Sequence, residues 1–143
     1  MSEWQDDDRW RQAAVELLSK VPFAAVLGIS IVCVRPGKAV LSLEVRDDLK
    51  QNQGIVHGGA IASLIDTAAA IAVATVMEDG ETSSTVDLTV HYLRSLSSGK
   101  VEAHASIQRE GRNIIVISVD VQHESSEKVA MGTLSFLRVR RQG

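Results

Sequence analysis

The chain is poor in the residues that staple, stack or concentrate charge. Aromatic residues make up 3% of its 143 positions, and it has two prolines and one cysteine. A lone cysteine, Cys33, excludes an intrachain disulfide framework and a cysteine cluster for zinc. It stands between Val32 and Val34 and reads as filler of a strand. The formal net charge of −3 offers no electrostatic footprint for nucleic acid. The basic residues Arg138, Arg140 and Arg141 read as a solvated tail. The longest apolar run, Ala68 to Met77, is too short to span a bilayer and contains Thr75. Met1 to Arg11 is acidic and polar and does not read as a signal peptide, so a cytoplasmic, reduced setting is expected. What remains is ordinary for one globular domain: 45% hydrophobic and 23% charged residues.

The periodicities divide the chain. Residues 1–22 form a polar segment with a short helix over Asp6 to Lys20, where Trp10, Ala13, Ala14, Leu17 and Leu18 share a face and Pro22 closes the run. Val21 to Leu27 is a linker or a second helical turn. Ile29 to Val34 and Lys38 to Arg46 read as strands around the turn Arg35-Pro36-Gly37. Asp47 to His57 has no periodicity and is a loop. Gly58 to Met77 is a long, alanine-rich helix, ended by a plausible left-handed cap at Gly80. Thr82 to Leu93 alternates, with Thr85, Asp87 and His91 expected on one side. Lys100 to Arg109, Ile114 to His123 and Lys128 to Arg138 follow as an antiparallel meander. With no βαβ alternation, the economical burial scheme is α+β: a curled antiparallel sheet wrapped around one central helix. The main domain is residues 23–139, with 140–143 as a tail.

The chemistry concentrates at the start of that helix. Gln51-Asn52-Gln53-Gly54-Ile55-Val56-His57-Gly58-Gly59 leads into it, and Asp66 is its one acidic residue. Free amides at a helix start bind an anion or polarise a carbonyl, and glycines there let a ligand approach. A carboxylate in a buried, small-residue setting has a raised pKa, which suits a general base or nucleophile. The plainer reading of Asp66 is an acid that bonds a neighbouring hydroxyl or backbone group. His57 is either a base or a brace for its turn. Thr85 is either an orienting hydroxyl or ordinary strand. Asp87 and His91 can pair or meet a second subunit, and no third ligand stands at metal spacing. Arg109, Gly111 and Arg112 form a basic turn suited to phosphate oxygens, or a solvated hairpin tip.

Taken together these blocks resemble the hotdog-fold acyl-CoA thioesterases, in particular the phenylacetic-acid-degradation group. The blocks are Gln51 to Gly59 with Leu64-Ile65-Asp66-Thr67-Ala68; Thr85-Val86-Asp87 running to Tyr92-Leu93; Arg109-Glu110-Gly111-Arg112; and Val129-Ala130-Met131-Gly132-Thr133. The resemblance covers Phe23 to Val139. Many members carry Asn six residues before the His, where this chain has Gln51 with Asn52 beside it. Either amide fits the thioester contact.

The resemblance implies thioester hydrolysis. The Gly58 amide would stabilise the oxyanion, and Asp66 of a facing subunit would activate water or attack directly. Thr85 would position the water or the acid. Gly59, Arg109, Gly111 and Arg112 would bind the CoA portion, with Ile61, Leu64 and Ile65 lining the acyl pocket. No metal and no cofactor is implied, because coenzyme A is part of the substrate. A homodimer or homotetramer is implied, with neither nucleic acid nor membrane as partner. The low aromatic content favours medium-chain or compact aryl acyl groups. The rival readings are a hydratase or dehydratase on the same fold, with His57 as its base, and a non-catalytic acyl-CoA-binding protein.

Overall fold

The structure is a computed structural model that describes residues 8–140. The start of the expected first helix, Asp6 and Asp7, lies outside these, as do Arg141 and the rest of the tail. The elements are α1 (Asp8–Ser19), α2 (Pro22–Leu27), β1 (Ser30–Arg35), β2 (Lys38–Glu44), α3 (Gly58–Ala74), β3 (Glu81–Tyr92), β4 (Lys100–Glu110), β5 (Ile114–His123) and β6 (Lys128–Arg140). Pro22 does not end α1. It opens α2 in the first turn, where a missing N–H costs nothing. The stretch left open as linker or helical turn is thus helical. The loop expected over Asp47 to His57 carries a single 3₁₀ turn, Asp47–Leu49. The central helix stops at Ala74, short of Met77, and Gly80, with a φ of 79°, belongs to the turn before β3.

The six strands form one antiparallel sheet in the order β1-β2-β4-β5-β6-β3. The meander of β4, β5 and β6 is as expected. The curled sheet wrapped around the helix is not: the sheet is open, β1 and β3 are its two edges, and α3 lies across one face. Closure would need β1 to hydrogen-bond β3. Instead α1 packs beside β1, and the Arg11 guanidinium donates to the Val32 carbonyl. The domain is therefore an α+β, hotdog-like arrangement of a central helix on an antiparallel sheet.

The core lies between α3 and the sheet. Leu64, Ile65, Ala68, Ala69, Ala72 and Val73 of α3 are fully buried against Leu41, Ala103, Ile117, Leu134 and Phe136. A Cβ on Gly132 of β6 would stand 2.9 Å from Ile65 Cγ2 and 3.3 Å from the Thr89 carbonyl. Glycine there lets the helix seat closely.

The presumed basic tail is an ion-pair clasp. Arg138 is 9% exposed, and its guanidinium reaches Glu81 at 2.8 Å, Glu110 at 3.1 Å and the Val76 carbonyl at 3.4 Å. Arg140 meets the second Glu81 oxygen at 3.2 Å. The clasp ties the start of β3, the β4–β5 hairpin and the end of α3 to β6. The Glu78 amide, followed by Arg138 and Arg140, holds the Glu81 carboxyl below the usual carboxylate range against the opposing effect of desolvation.

Two outcomes are expected. Gly132→Ala lowers the thermal midpoint, because overpacking of this kind costs about 1–3 kcal/mol. Glu81, with its depressed folded pKa, stabilises above its unfolded value and loses that contribution as pH falls through the folded one. Urea midpoints of the wild type therefore drop on acidification below the ordinary carboxylate range, and Glu81→Gln flattens that part of the profile.

Candidate active site

Two half-built sites lie on α3. The first is at its start. Two hydrogen bonds leave one amide open there. His57 is the N-cap, and its ring Nδ1 accepts from the Gly59 N–H at 2.7 Å. The Ala60 N–H donates to the His57 carbonyl at 3.0 Å. The Gly58 N–H has no partner among the described residues, and helix geometry gives it the positive end of the helix dipole. A cavity of about 280 Å³ opens beside it, lined by Gln51, Ile55, Gly58, Ile61, Tyr92 and Leu96 among others.

Gln51 and Asn52 separate here. The Gln51 Oε1 accepts from the Gln53 N–H at 2.6 Å, which fixes the side chain and leaves its NH₂ as the donor available to the cavity. Asn52 is exposed and is not among the residues lining that cavity. Tyr92, which the sequence reading left as a strand-ending aromatic, is part of this half-site. Its hydroxyl donates to the Gly58 carbonyl at 2.7 Å. A Cβ on Gly58 would stand 3.1 Å from the ring, so the glycine makes room for the tyrosine.

The second half-site is Asp66. It is half-buried on the rim of an open groove, not enclosed as its apolar helix suggests. The Thr85 hydroxyl donates to Asp66 Oδ1 at 2.8 Å, and Oδ2 has no partner among the described residues. This contact depends on a β-bulge. The register of β3 on β6 shifts between Thr85 and Asp87, so Thr85 opposes buried Phe136 while Asp87 opposes Ser135. The Asp87 carboxylate accepts from the Ser135 N–H at 3.0 Å. Thr85 therefore turns towards α3, and Asp87 and His91 turn to the outer face. The expected shared face of these three does not exist.

The helix separates the remaining predicted residues. Gly58 and Asp66 are eight positions apart, about 12 Å along the axis at 1.5 Å per residue. They line different cavities. Leu64 and Ile65 are fully buried in the core and cannot line an acyl pocket, and only Ile61 reaches the cavity at the helix start. Arg109 and Arg112 are exposed, and Gly111 closes their turn by donating to the Ile114 carbonyl at 2.9 Å. That hairpin is clasped by Arg138 near Val76, at the far end of α3 from Gly58. Among the described residues no cluster of His, Cys, Asp and Glu can hold a metal ion, and no helix is long and apolar enough to cross a membrane.

A central helix laid on an open antiparallel sheet defines a hotdog-like fold. The chain belongs to the thioesterase superfamily, whose family model matches residues 53–130. It is 33% identical to a 1,4-dihydroxy-2-naphthoyl-CoA hydrolase of Listeria monocytogenes over 101 residues, covering 71% of this chain and 82% of that one. It is 29% identical to a medium/long-chain acyl-CoA thioesterase of Salmonella typhimurium over 132 residues, covering 82% and 85%. The fold matches that of the E. coli PaaI protein from the phenylacetic acid degradation operon with a TM-score of 0.85 at 24% identity, over 94% and 96% of the two chains. Membership supports enzymatic, thioester-hydrolysing activity.

Tyr92→Phe removes only the bond to the Gly58 carbonyl. The expected loss is about 0.5–1.5 kcal/mol of stability, read from chemical denaturation. Gly58→Ala displaces the Tyr92 ring as well and is expected to change its fluorescence.

Proposed function

We propose that the protein hydrolyses acyl-CoA thioesters to free acid and CoA, at a site completed by a second copy of the chain. The observation that carries the reading is the Thr85–Asp66 hydrogen bond, which fixes one carboxylate oxygen and leaves the other for water. The Gly58 N–H, at the positive helix end, is suited to the oxyanion that develops on the thioester carbonyl. Asp66 takes a proton from water as the oxygen adds to the carbonyl carbon. The carbon–sulfur bond then breaks, and the proton passes to the departing thiolate. Direct attack by Asp66 is the other route to the same products. Gln51, by its place in the cavity, is the better of the two amides for the carbonyl, with Asn52 beside it. His57, with Nδ1 engaged by the Gly59 amide, is a brace of the helix start, which weakens the dehydratase reading.

One chain cannot bring Gly58 and Asp66 to a single carbonyl, so the site is composite. The β3 edge is suited to supply the partner. It runs for twelve residues, and Asp87 is the only charged side chain between Thr82 and Tyr92. Val86, Tyr92 and Leu93 are 59%, 54% and 50% exposed. A bare edge of this kind pairs with another strand. Two copies paired antiparallel about the middle of β3 would set Tyr92 of one opposite Glu81 of the other. That brings the Gly58 end of one copy towards the Asp66 groove and the Arg109–Arg112 hairpin of its partner. Arg109 and Arg112 then bind phosphates of CoA across the interface, with Gly111 shaping their turn and Gly59 the helix start.

Asp66→Asn keeps shape and hydrogen bonding, and kcat is expected to fall by about 10²-fold or more. Thr85→Ala, which only positions, should fall less. A kcat for Asp66→Asn near the wild-type value would remove Asp66 from the chemistry. Gln51→Ala is expected to lose more activity than Asn52→Ala. Arg109→Ala and Arg112→Ala should raise KM for CoA esters but not for acyl-pantetheines. Sedimentation should find a dimer or larger assembly; a monomer at all concentrations would defeat the composite site.

A further inference from the structure

Both halves of the proposed site are tied to one strand. Thr85 and Tyr92 stand seven positions apart on β3, and a strand of regular pleat would turn them to opposite faces. The β-bulge between Thr85 and Asp87 restores a shared facing. Beyond it Leu88, Val90 and Tyr92 alternate towards α3, opposite Leu134, Gly132 and Ala130 of β6. Thr85 gives its hydroxyl hydrogen to Asp66, and Tyr92 gives its own to the Gly58 carbonyl at 2.7 Å. The proposed chemistry uses the first of these bonds and leaves the second without a part.

Gly58 is a residue that needs an outside hold. Two consecutive glycines open α3, and neither has a side chain to limit its backbone. The two cap bonds, from the Gly59 and Ala60 amides to His57, lie within the turn they close and move with it. The chain entering the turn is anchored from outside, with the Val56 N–H on the Leu96 carbonyl at 2.7 Å and the His57 N–H on the Leu49 carbonyl at 2.8 Å. On the helix side of Gly58, among the described residues, the tie from another element is the Tyr92 hydroxyl. The phenol ring also lies so close that a Cβ on Gly58 would stand 3.1 Å from it.

We propose that Tyr92 is a positioning residue for thioester hydrolysis: its hydroxyl holds Gly58 so that the free Gly58 N–H keeps its aim at the carbonyl oxygen as negative charge develops there. The inference rests on the proposed thioesterase reading. Tyr92 does not touch the reacting atoms, because its one donor hydrogen is spent on the Gly58 carbonyl. An oxyanion donor is effective because it is already oriented when the charge appears, and an N–H···O bond weakens steeply as its angle bends. Losing the hold therefore falls on the transition state and spares the bound ester. β3 becomes the common frame of the two half-sites, with Thr85 fixing the acid and Tyr92 fixing the amide. Where two β3 edges pair, the spacing between the acid of one copy and the amide of the other follows from the register of these strands.

Tyr92→Phe keeps the ring and removes the donor. In steady-state thiol release from an acyl-CoA substrate, kcat should fall about 10-fold, less than deletion of an oxyanion donor costs, with KM within about twofold of the wild type. Calorimetric affinity for S-butyl-CoA, a thioether with no carbonyl oxygen, should not change. Para-aminophenylalanine placed at position 92 keeps a donor on the same ring and should recover most of the lost rate. Amide hydrogen exchange over residues 58–62 should quicken in Tyr92→Phe, while exchange over 64–73, in the buried part of α3, stays as in the wild type. Lys128→Ala, which opens an exposed ion pair with Asp120 far from this contact, should leave kcat unchanged. A wild-type kcat in Tyr92→Phe overturns the role, as does a loss of rate matched by weaker S-butyl-CoA binding, or an exchange pattern that does not move. If the wild type itself releases no thiol from any acyl-CoA, the hydrolase reading falls, and the exchange measurement still decides whether Tyr92 holds the helix start.

Discussion

The close seating of α3 on the sheet governs the molecule. Ile65 over Gly132 sets the distance, and the alanines at 68, 69 and 72 let a slim helix approach several strands at once. With that face wholly buried, the rotation of the helix about its own axis is fixed. Asp66 is then held on the rim with Thr85 in reach, and the first amide of the helix points away from the core. The one charged residue of α3, Asp66, stays half-buried in this arrangement.

The periodic parts of this arrangement were legible in the sequence. The helix, the β4–β5–β6 meander and the Gln51-to-Gly59 entry are all local patterns, and each forms near its expected place. Departures arose where tertiary structure decides. A curled sheet was expected because a thin helix invites it, but α1 and Arg11 occupy the outer side of β1 and leave the sheet open. Arg138 read as solvated because nothing near it in sequence is acidic; Glu81 and Glu110 reach it only through strand order. Pro22 marked a boundary correctly but begins a helix instead of ending one.

Among the site residues, legibility followed chemical type. Gln51, His57, Gly58 and Asp66 are unusual for their surroundings and drew notice at once. Tyr92 did not, because its contact with the Gly58 carbonyl spans 34 positions. The family resemblance placed Leu64 and Ile65 in an acyl pocket, yet neighbours of Asp66 on a helix point elsewhere, into the sheet. The residues sharing its face are Ala70 and Ala74, whose smallness leaves the groove open. The two edges of the sheet differ in the same physical sense. One is covered by a helix and a guanidinium, and the other is bare along twelve residues.

The bulge at Val86 has a consequence for how this protein can change over evolutionary time. It inserts one unpaired residue between the two halves of β3, and everything before it takes its facing from that single extra position. Losing or gaining one codon there would turn Thr85, Ser83 and Glu81 to the opposite face together, separating Thr85 from Asp66 and Glu81 from Arg138 in one event. Individual side chains along the strand can drift, since most are exposed. The length of the segment cannot, so β3 is frozen in count.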